Sequence, residues 1–260
     1  MTVSLSFTLD QGDDDTASNA AYSGGPFDGH SVSVSSDALG TLKLNGEGGA
    51  SSASSIDGSA AGDIWDTFDG ARGSATAVVS FRLRYWWQWL FYSMPSVMDG
   101  LDVFASYQPQ GSGRESATGF GATYSGFDGL SLSYATTDEA GTTVALSGDQ
   151  TVYKVSYAYG PITATLSESE FDVGTGTADQ TTGSFALSYT VSDEISVTYG
   201  SETHDQGNKT VDMEVEGISV AYTAGGMTIT GKMQSLDNGD FATGTTNDAD
   251  YWALGASFAF

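Results

Sequence analysis

The feature that most constrains this chain is a strict two-residue alternation of apolar and polar side chains, which recurs along almost its whole length. In one run the apolar set is Tyr153, Val155, Tyr157 and Tyr159. Because successive side chains of a β-strand point to opposite faces, this period predicts strands with one apolar face. No stretch approaches ~18 consecutive apolar residues, so the sequence excludes a transmembrane helix.

The alternation predicts about fourteen strands in an all-β fold. They are Val3–Leu9, His30–Ser35, Thr41–Asn45, Ala77–Tyr92, Asp102–Tyr107, Ala117–Tyr124, Leu130–Thr136, Thr151–Tyr159, Ile162–Glu168, Gly183–Val191, Ile195–Glu202, Val211–Tyr222, Met227–Gln234 and Asp250–Phe260. Met213 and Val215 are out of phase with the apolar residues that follow them, which predicts a β-bulge near Glu216 and Gly217. No linker divides the chain, so we expect residues 1–260 to form a single domain.

The links between these strands alternate in length. Short links at 159–161, 192–194 and 225–226 are interspersed with longer acidic segments such as 172–181 and 236–250. Outer-membrane barrels have short periplasmic turns and longer extracellular loops, and their tilted strands of about 9–11 residues cross the hydrocarbon layer. The pattern therefore favours a transmembrane antiparallel β-barrel.

A soluble β-sandwich also alternates apolar with polar residues and is the main structural alternative. The placement of aromatic residues argues against it, because many of them stand at the ends of the apolar faces, where interfacial girdles of a barrel belong. These residues are Tyr134, Tyr153, Tyr159, Tyr189, Tyr199, Tyr222 and Phe260.

Charge and composition exclude several classes of function. The chain has 33 acidic residues against 8 Lys and Arg, a formal net charge of −25. This charge leaves no basic surface that could bind nucleic acid. It has no cysteine, so disulfides, thiol catalysis and cysteine-ligated metals are excluded. It has two histidines and none of the common catalytic motifs, so we do not expect an enzyme. The first residues lack the pattern of a signal peptide.

Several segments in order resemble one family. The chain ends on the alternating run 251–260, with Phe258 and Phe260 on its apolar face; upstream stand 37–46, 48–52, Ile56-Asp-Gly, Met94-Pro-Ser and 100–107. Together they resemble the Gram-negative outer-membrane general-diffusion porins, in particular the trimeric, Rhodobacter-like porins of alphaproteobacteria. The run Trp86 to Trp89 is not a pattern of that family.

The resemblance implies a bacterial outer-membrane location and a water-filled channel for passive diffusion of small hydrophilic solutes and ions. It implies a homotrimer in outer-membrane lipid, without a cofactor, and a terminal assembly signal at Phe260 with Phe258. The family has sixteen strands, so the fourteen predicted here are about one hairpin short, and we expect the missing pair at the N-terminal side.

One long segment, Glu47–Ser74, shows no alternation, and structureless segments of this length inside a domain are usually functional. It carries acids, with Ile64, Trp65 and Phe68 placed to hold it against a wall. By resemblance it is the inward-folded constriction loop. The resemblance then makes Asp63, Asp66 and Asp69 the acids of the constriction and Arg82 and Arg84, with Arg72, the opposing bases.

Other basic residues fall on the polar face of their strands, namely Lys43, Lys154 and Lys232. A base facing lipid would cost roughly 2–4 kcal/mol at mid-membrane, so we expect these three in the lumen. A simpler interpretation of Arg82 and Arg84 also stands: they pair with nearby acids as wall scaffolding.

A second function class stays open on the sequence alone. In it, the chain is an acidic structural or adhesive β protein without an open pore, whose loops bind calcium or a surface partner. Oxygen-rich loops suit calcium, and Asp13, Asp14 and Asp15 are the candidates, although their spacing fits no EF-hand.

Overall fold

The computed structural model describes residues 1–9, 27–46, 49–56, 58–62, 64–68, 89–110, 115–139, 147–173 and 179–259. They form a 14-stranded antiparallel sheet in which each strand pairs with its neighbours in the sequence. The strands are β1 (Thr2–Leu9), β2 (Phe27–Ser36), β3 (Gly40–Asn45), β4 (Trp89–Ser93), β5 (Leu101–Gln108), β6 (Ala117–Tyr124), β7 (Leu130–Glu139), β8 (Gly148–Tyr159), β9 (Ile162–Val173), β10 (Gln180–Thr190), β11 (Ile195–Gln206), β12 (Met213–Ala224), β13 (Met227–Asp237) and β14 (Ala249–Phe258).

Short 3₁₀ helices span Ile64–Thr67 and Gly239–Phe241. Within the residues that the structure describes, no helix is long and apolar enough to cross a bilayer.

The predicted number and order of strands are confirmed, but several strands run further than the alternation indicated. β9 continues past Glu168 to Val173, and β11 continues past Glu202 to Gln206. The apolar pattern stops early because outward side chains become polar there, while backbone pairing continues. Of the predicted strand Ala77–Tyr92, residues 77–88 lie outside the described part of the chain.

The predicted bulge near Glu216 and Gly217 is wrong. Pairing between β11 and β12 runs in unbroken register, and so does pairing between β12 and β13. Met213 and Val215 lie on the opposite face from Ile218, and each is 1% exposed because it packs against Trp65 and Phe68. The change of phase therefore marks an apolar contact on the second face of a regular strand.

The two faces of the sheet differ sharply. We call the face that carries residues 49–68 the inner face and the opposite one the outer face. The outer face holds the exposed large apolar side chains, among them Val3, Leu5, Leu42, Leu44, Phe120, Leu132, Tyr134, Val155, Tyr157, Tyr159, Leu166, Leu187, Tyr189, Ile218, Val220, Met233, Trp252, Leu254 and Phe258.

An exposed apolar surface of this extent is far larger than a water-soluble monomer carries and suits contact with lipid. The sandwich alternative requires these side chains to pack in a dry interior, and it is wrong.

Acidic side chains border this apolar surface at the end where the longer loops lie. The exposed, outward acids are Asp138, Asp149, Glu168, Glu170, Asp172, Asp205, Glu214, Glu216, Asp237 and Asp250. The hydroxyl of Tyr199 donates to Glu216 over 2.9 Å, which links an aromatic side chain of the band to this acidic rim. A large part of the negative charge thus lies outside the inner face.

Candidate functional site

The candidate site is the stretch 49–68, here called the inner segment, whose described residues (49–56, 58–62 and 64–68) lie along the inner face. It meets β5 near Ser52 and reaches β13 near Thr67. Eight steps between neighbouring strands at about 4.8 Å amount to ~38 Å, and roughly fifteen residues can extend over at most ~50 Å. The inner segment can therefore follow the wall over this distance, although residues 52–55 form turns and Ile64–Thr67 a 3₁₀ helix.

Wall hydroxyl groups accept hydrogen bonds from the backbone of the inner segment. The pairs are Ser52 N to Ser106 Oγ of β5 (2.8 Å), Ala53 N to Thr137 Oγ1 of β7 (2.9 Å), Ala60 N to Ser167 Oγ of β9 (2.8 Å) and Ala61 N to Ser184 Oγ of β10 (2.9 Å). Ser167 also donates to the carbonyl of Gly58 over 2.7 Å. A buried N–H without a hydrogen-bond partner costs about 1–3 kcal/mol. These wall hydroxyls therefore stabilise the inner segment in its position against the wall.

A buried carboxylate on β11 holds the second half of the inner segment. The hydroxyl of Ser59 donates to Glu202, and so do the N–H groups of Ile64 and Trp65, over 3.3 and 3.2 Å. Nε2 of His204 lies 3.7 Å from the same carboxylate.

Two apolar clusters fix the ends of the inner segment. In the first, Ala53 and Ile56 pack on Ala135 and Val152 of the wall. In the second, Trp65 and Phe68 pack on a group of wall and loop residues: Met213, Val215, Leu236 and Phe241. The expectation that Trp65 and Phe68 hold the segment against a wall is confirmed, and Ile64 packs beside them.

Lys43, Lys154 and Lys232 all lie on the inner face by strand register. Lys154 Nζ donates to the carbonyl of Ser59 and Lys232 Nζ to the hydroxyl of Thr67, each over 3.3 Å. Lys232 Nζ also stands 4.9 Å from the ring centroid of Tyr251. Two of the three lysines thus contact the inner segment itself.

Asp66 belongs to the 3₁₀ helix and is exposed, while Trp65 and Phe68 of the same turn are buried against the wall. The carboxylate is therefore presented away from the wall. Phe258 ends β14 on the outer face.

Other predicted residues lie outside the described part of the chain: Asp63, Asp69, Arg72, Arg82, Arg84, Phe260 and Asp13 to Asp15. Within the described residues, no group of three or more His, Cys, Asp or Glu side chains is arranged to hold a metal ion.

Sequence reasoning missed the side chains that attach the inner segment to the wall. Ser106, Thr137, Ser167 and Ser184 resemble every other small polar residue on the inner face, so no pattern singled them out. A signal did exist in Met213 and Val215, whose inner-face position marks where the segment packs.

An antiparallel sheet with an apolar exterior, a polar inner face and a segment folded against that face defines a β-barrel membrane protein of the channel-forming class. The chain belongs to the Gram-negative porin family, whose model matches residues 1–260. No curated protein matches the chain at a significant level.

Solved outer-membrane proteins share the fold at low sequence identity. A triple mutant of the Rh. blastica porin is 18% identical, with a TM-score of 0.57 over 99% of this chain and 89% of that one. An anion-selective porin from Comamonas acidovorans is 14% identical, with a TM-score of 0.57 over 90% and 76%. The trimer form of OmpT from Vibrio cholerae is 17% identical, with a TM-score of 0.53 over 90% and 76%.

The protein is thus a porin of the bacterial outer membrane, which forms a water-filled channel for passive diffusion of small hydrophilic solutes and ions. Membership of this family indicates a channel rather than an enzyme, and it does not favour the structural or adhesive alternative.

Proposed function

We propose that the inner segment is the constriction of this channel. The observation that carries the proposal is the series of contacts between its described residues and the inner face, from Ser106 of β5 to Lys232 of β13. A polypeptide layer along that wall reduces the water-filled cross-section while leaving a path beside it. Solutes then pass according to size and polarity, without an energy source.

Opposed charges would give this constriction its selectivity. Asp66 stands on the exposed side of the inner segment, and we assign Asp63 and Asp69 to the same acidic edge. We assign Arg82 and Arg84, with Arg72, to the basic edge across the lumen. Charges of opposite sign in a narrow channel create a transverse field that orients polar solutes and disfavours apolar ones. The competing role for the arginines is structural pairing with wall acids.

We also propose that three copies of the chain assemble in the outer membrane. One support is that a similar structure, OmpT of Vibrio cholerae, is described as a trimer form. The exposed apolar outer face supplies surface both for lipid and for a neighbouring copy. Chemical cross-linking of the refolded protein should give a three-chain species; a strictly monomeric product would contradict this part of the proposal.

Planar-bilayer recording of the refolded protein tests the channel directly. Stepwise, nearly ohmic conductance increases are expected at each insertion. Liposome swelling with sugars of increasing size should show a sharp loss of uptake at the width of the constriction. Repeated insertions without conductance steps would refute the proposal.

A further inference from the structure

One buried carboxylate holds the middle of the inner segment. Glu202 lies on the inner face of β11, in register with Ser184 of β10 and Val215 of β12, and is only 2% exposed. Removing a carboxylate from water is costly unless hydrogen bonds and opposite charge compensate it. The groups that compensate it therefore indicate what the residue does.

Three hydrogen-bond donors to Glu202 come from the inner segment. The hydroxyl of Ser59 and the N–H of Ile64 donate to Oε1, and the N–H of Trp65 donates to Oε2. A single carboxylate thus ties Ser59, Ile64 and Trp65 to β11. The wall hydroxyls that accept from other amides of the segment are neutral, and hydrogen bonds to a charged group are stronger.

His204 lies beside this carboxylate on the same strand. Its Nε2 lies 3.7 Å from Glu202 Oε2, and its Nδ1 lies 3.0 Å from the hydroxyl of Thr182. The imidazole also meets the ring of Trp65 edge to face, with 5.7 Å between centroids. The carboxylate, the imidazole and the indole therefore form one packed unit across β11 and the inner segment.

The stretch 58–62 packs closely against the wall. Ala61 lies so close to β11 that a Cβ added to Gly200 would come within 2.9 Å of the Ala61 Cβ, so the wall blocks movement outward. The apolar clusters at Ile56 and at Trp65 hold the flanks. Without the Glu202 bonds, only the bonds of residues 58–61 to Ser167, Ser184 and Lys154 still hold this stretch, and the movement left to it is toward the lumen.

We propose that Glu202 is a positioning residue that clasps the stretch 58–62 to the wall and keeps the lumen at its full width. The inference rests on the proposed function, because it takes the inner segment as the constriction. Without the clasp, the released stretch obstructs the channel intermittently, so brief closures interrupt the open state.

Single-channel recording of Glu202→Gln and Glu202→Ala tests the clasp. Glutamine keeps an acceptor for Ser59 and Ile64 but turns its amide toward the N–H of Trp65, whereas alanine loses all three hydrogen bonds. The loss of one hydrogen bond to a charged group raises the ratio of released to clasped segment by about a factor of ten. We expect the fraction of time spent closed to rise about tenfold in Glu202→Gln and about a hundredfold or more in Glu202→Ala.

Glu170→Gln is the matched control, since Glu170 is an exposed, outward carboxylate on β9 and the charge change is the same. This variant should spend the same fraction of time closed as the wild type. Partial rescue by glutamine relative to alanine separates positioning from a general loss of structure, and unboiled SDS mobility checks that each barrel has folded.

Hydrogen exchange on the unmodified protein gives a measurement independent of any variant. The amides of Ile64 and Trp65 should be protected, and exchange as fast as in an unstructured peptide would overturn the clasp. If the wild type gives steady conductance steps and neither Glu202 variant spends more time closed than the wild type, the clasp is also refuted. The proposed function of the channel is then unaffected. A wild type without steps would refute the proposed function instead.

Discussion

A lysine at two adjacent positions of β10 should have opposite consequences on the two faces of the sheet. Leu187 lies on the outer face, in register with Ala164 and Tyr199 of the flanking strands. Ser188 follows it on the inner face, where its hydroxyl lies 3.0 Å from that of Thr198. Leu187→Lys therefore places a charge in lipid, and Ser188→Lys places the same charge in water.

The expected magnitudes differ enough to decide between lipid and water. A lysine on the lipid face near mid-membrane costs about 2–4 kcal/mol, and the alternation places Leu187 between Phe185 and Tyr189, within the apolar band. A substitution in a solvated position usually changes the free energy of unfolding by less than about 0.5 kcal/mol. The ratio of folded to unfolded protein should thus differ by more than about tenfold between the two variants.

Denaturant unfolding in lipid vesicles measures this difference. Leu187→Ala is the control that removes apolar volume without adding charge, so the excess loss in Leu187→Lys isolates the cost of the ammonium group. Equal losses in Leu187→Lys and Ser188→Lys, or a larger loss at Ser188, would refute the assignment of the faces.

Three further predictions concern the constriction and assembly. Phe68→Ala should loosen the inner segment, because truncating a buried Phe typically costs 3–5 kcal/mol. Hydrogen exchange across residues 64–68 should then be faster, whereas the outer-face variant Phe120→Ala should leave that exchange unchanged. Replacing Arg82 and Arg84 together by alanine should raise cation preference in reversal-potential measurements, and unchanged selectivity would assign both residues to scaffolding. Deleting Phe260 should lower assembly in the outer membrane of cells more than refolding in detergent, and normal cellular assembly would contradict a terminal signal.

The strands could be predicted from the sequence wherever one face meets lipid. On β8, Tyr153, Val155 and Tyr157 face outward and their neighbours face inward, so period two follows directly from the surroundings. Beyond the apolar band this contrast disappears. Glu170 and Asp172 are outward and polar, so the last residues of β9 carried no signal although their backbone pairing continues.

The site was less predictable because its contacts are long-range in sequence. Trp65 and Phe68 could be assigned to the wall from their apolar character alone. Glu202 could not, since one carboxylate among 33 acidic residues gives no sign that a segment over a hundred residues earlier will cover it. The wrong bulge has the same origin: Met213 and Val215 were interpreted through local pairing, whereas a distant segment determined their position.

The orientation of the faces is tested most directly by cysteine labelling, since the chain has no cysteine of its own. Val197→Cys and Thr198→Cys occupy adjacent positions on β11, outward and inward. A charged thiol reagent applied to channels open in a planar bilayer should react with Thr198→Cys and lower the conductance, and should leave Val197→Cys unchanged. Blockage through Val197→Cys with no effect at Thr198→Cys would contradict the account.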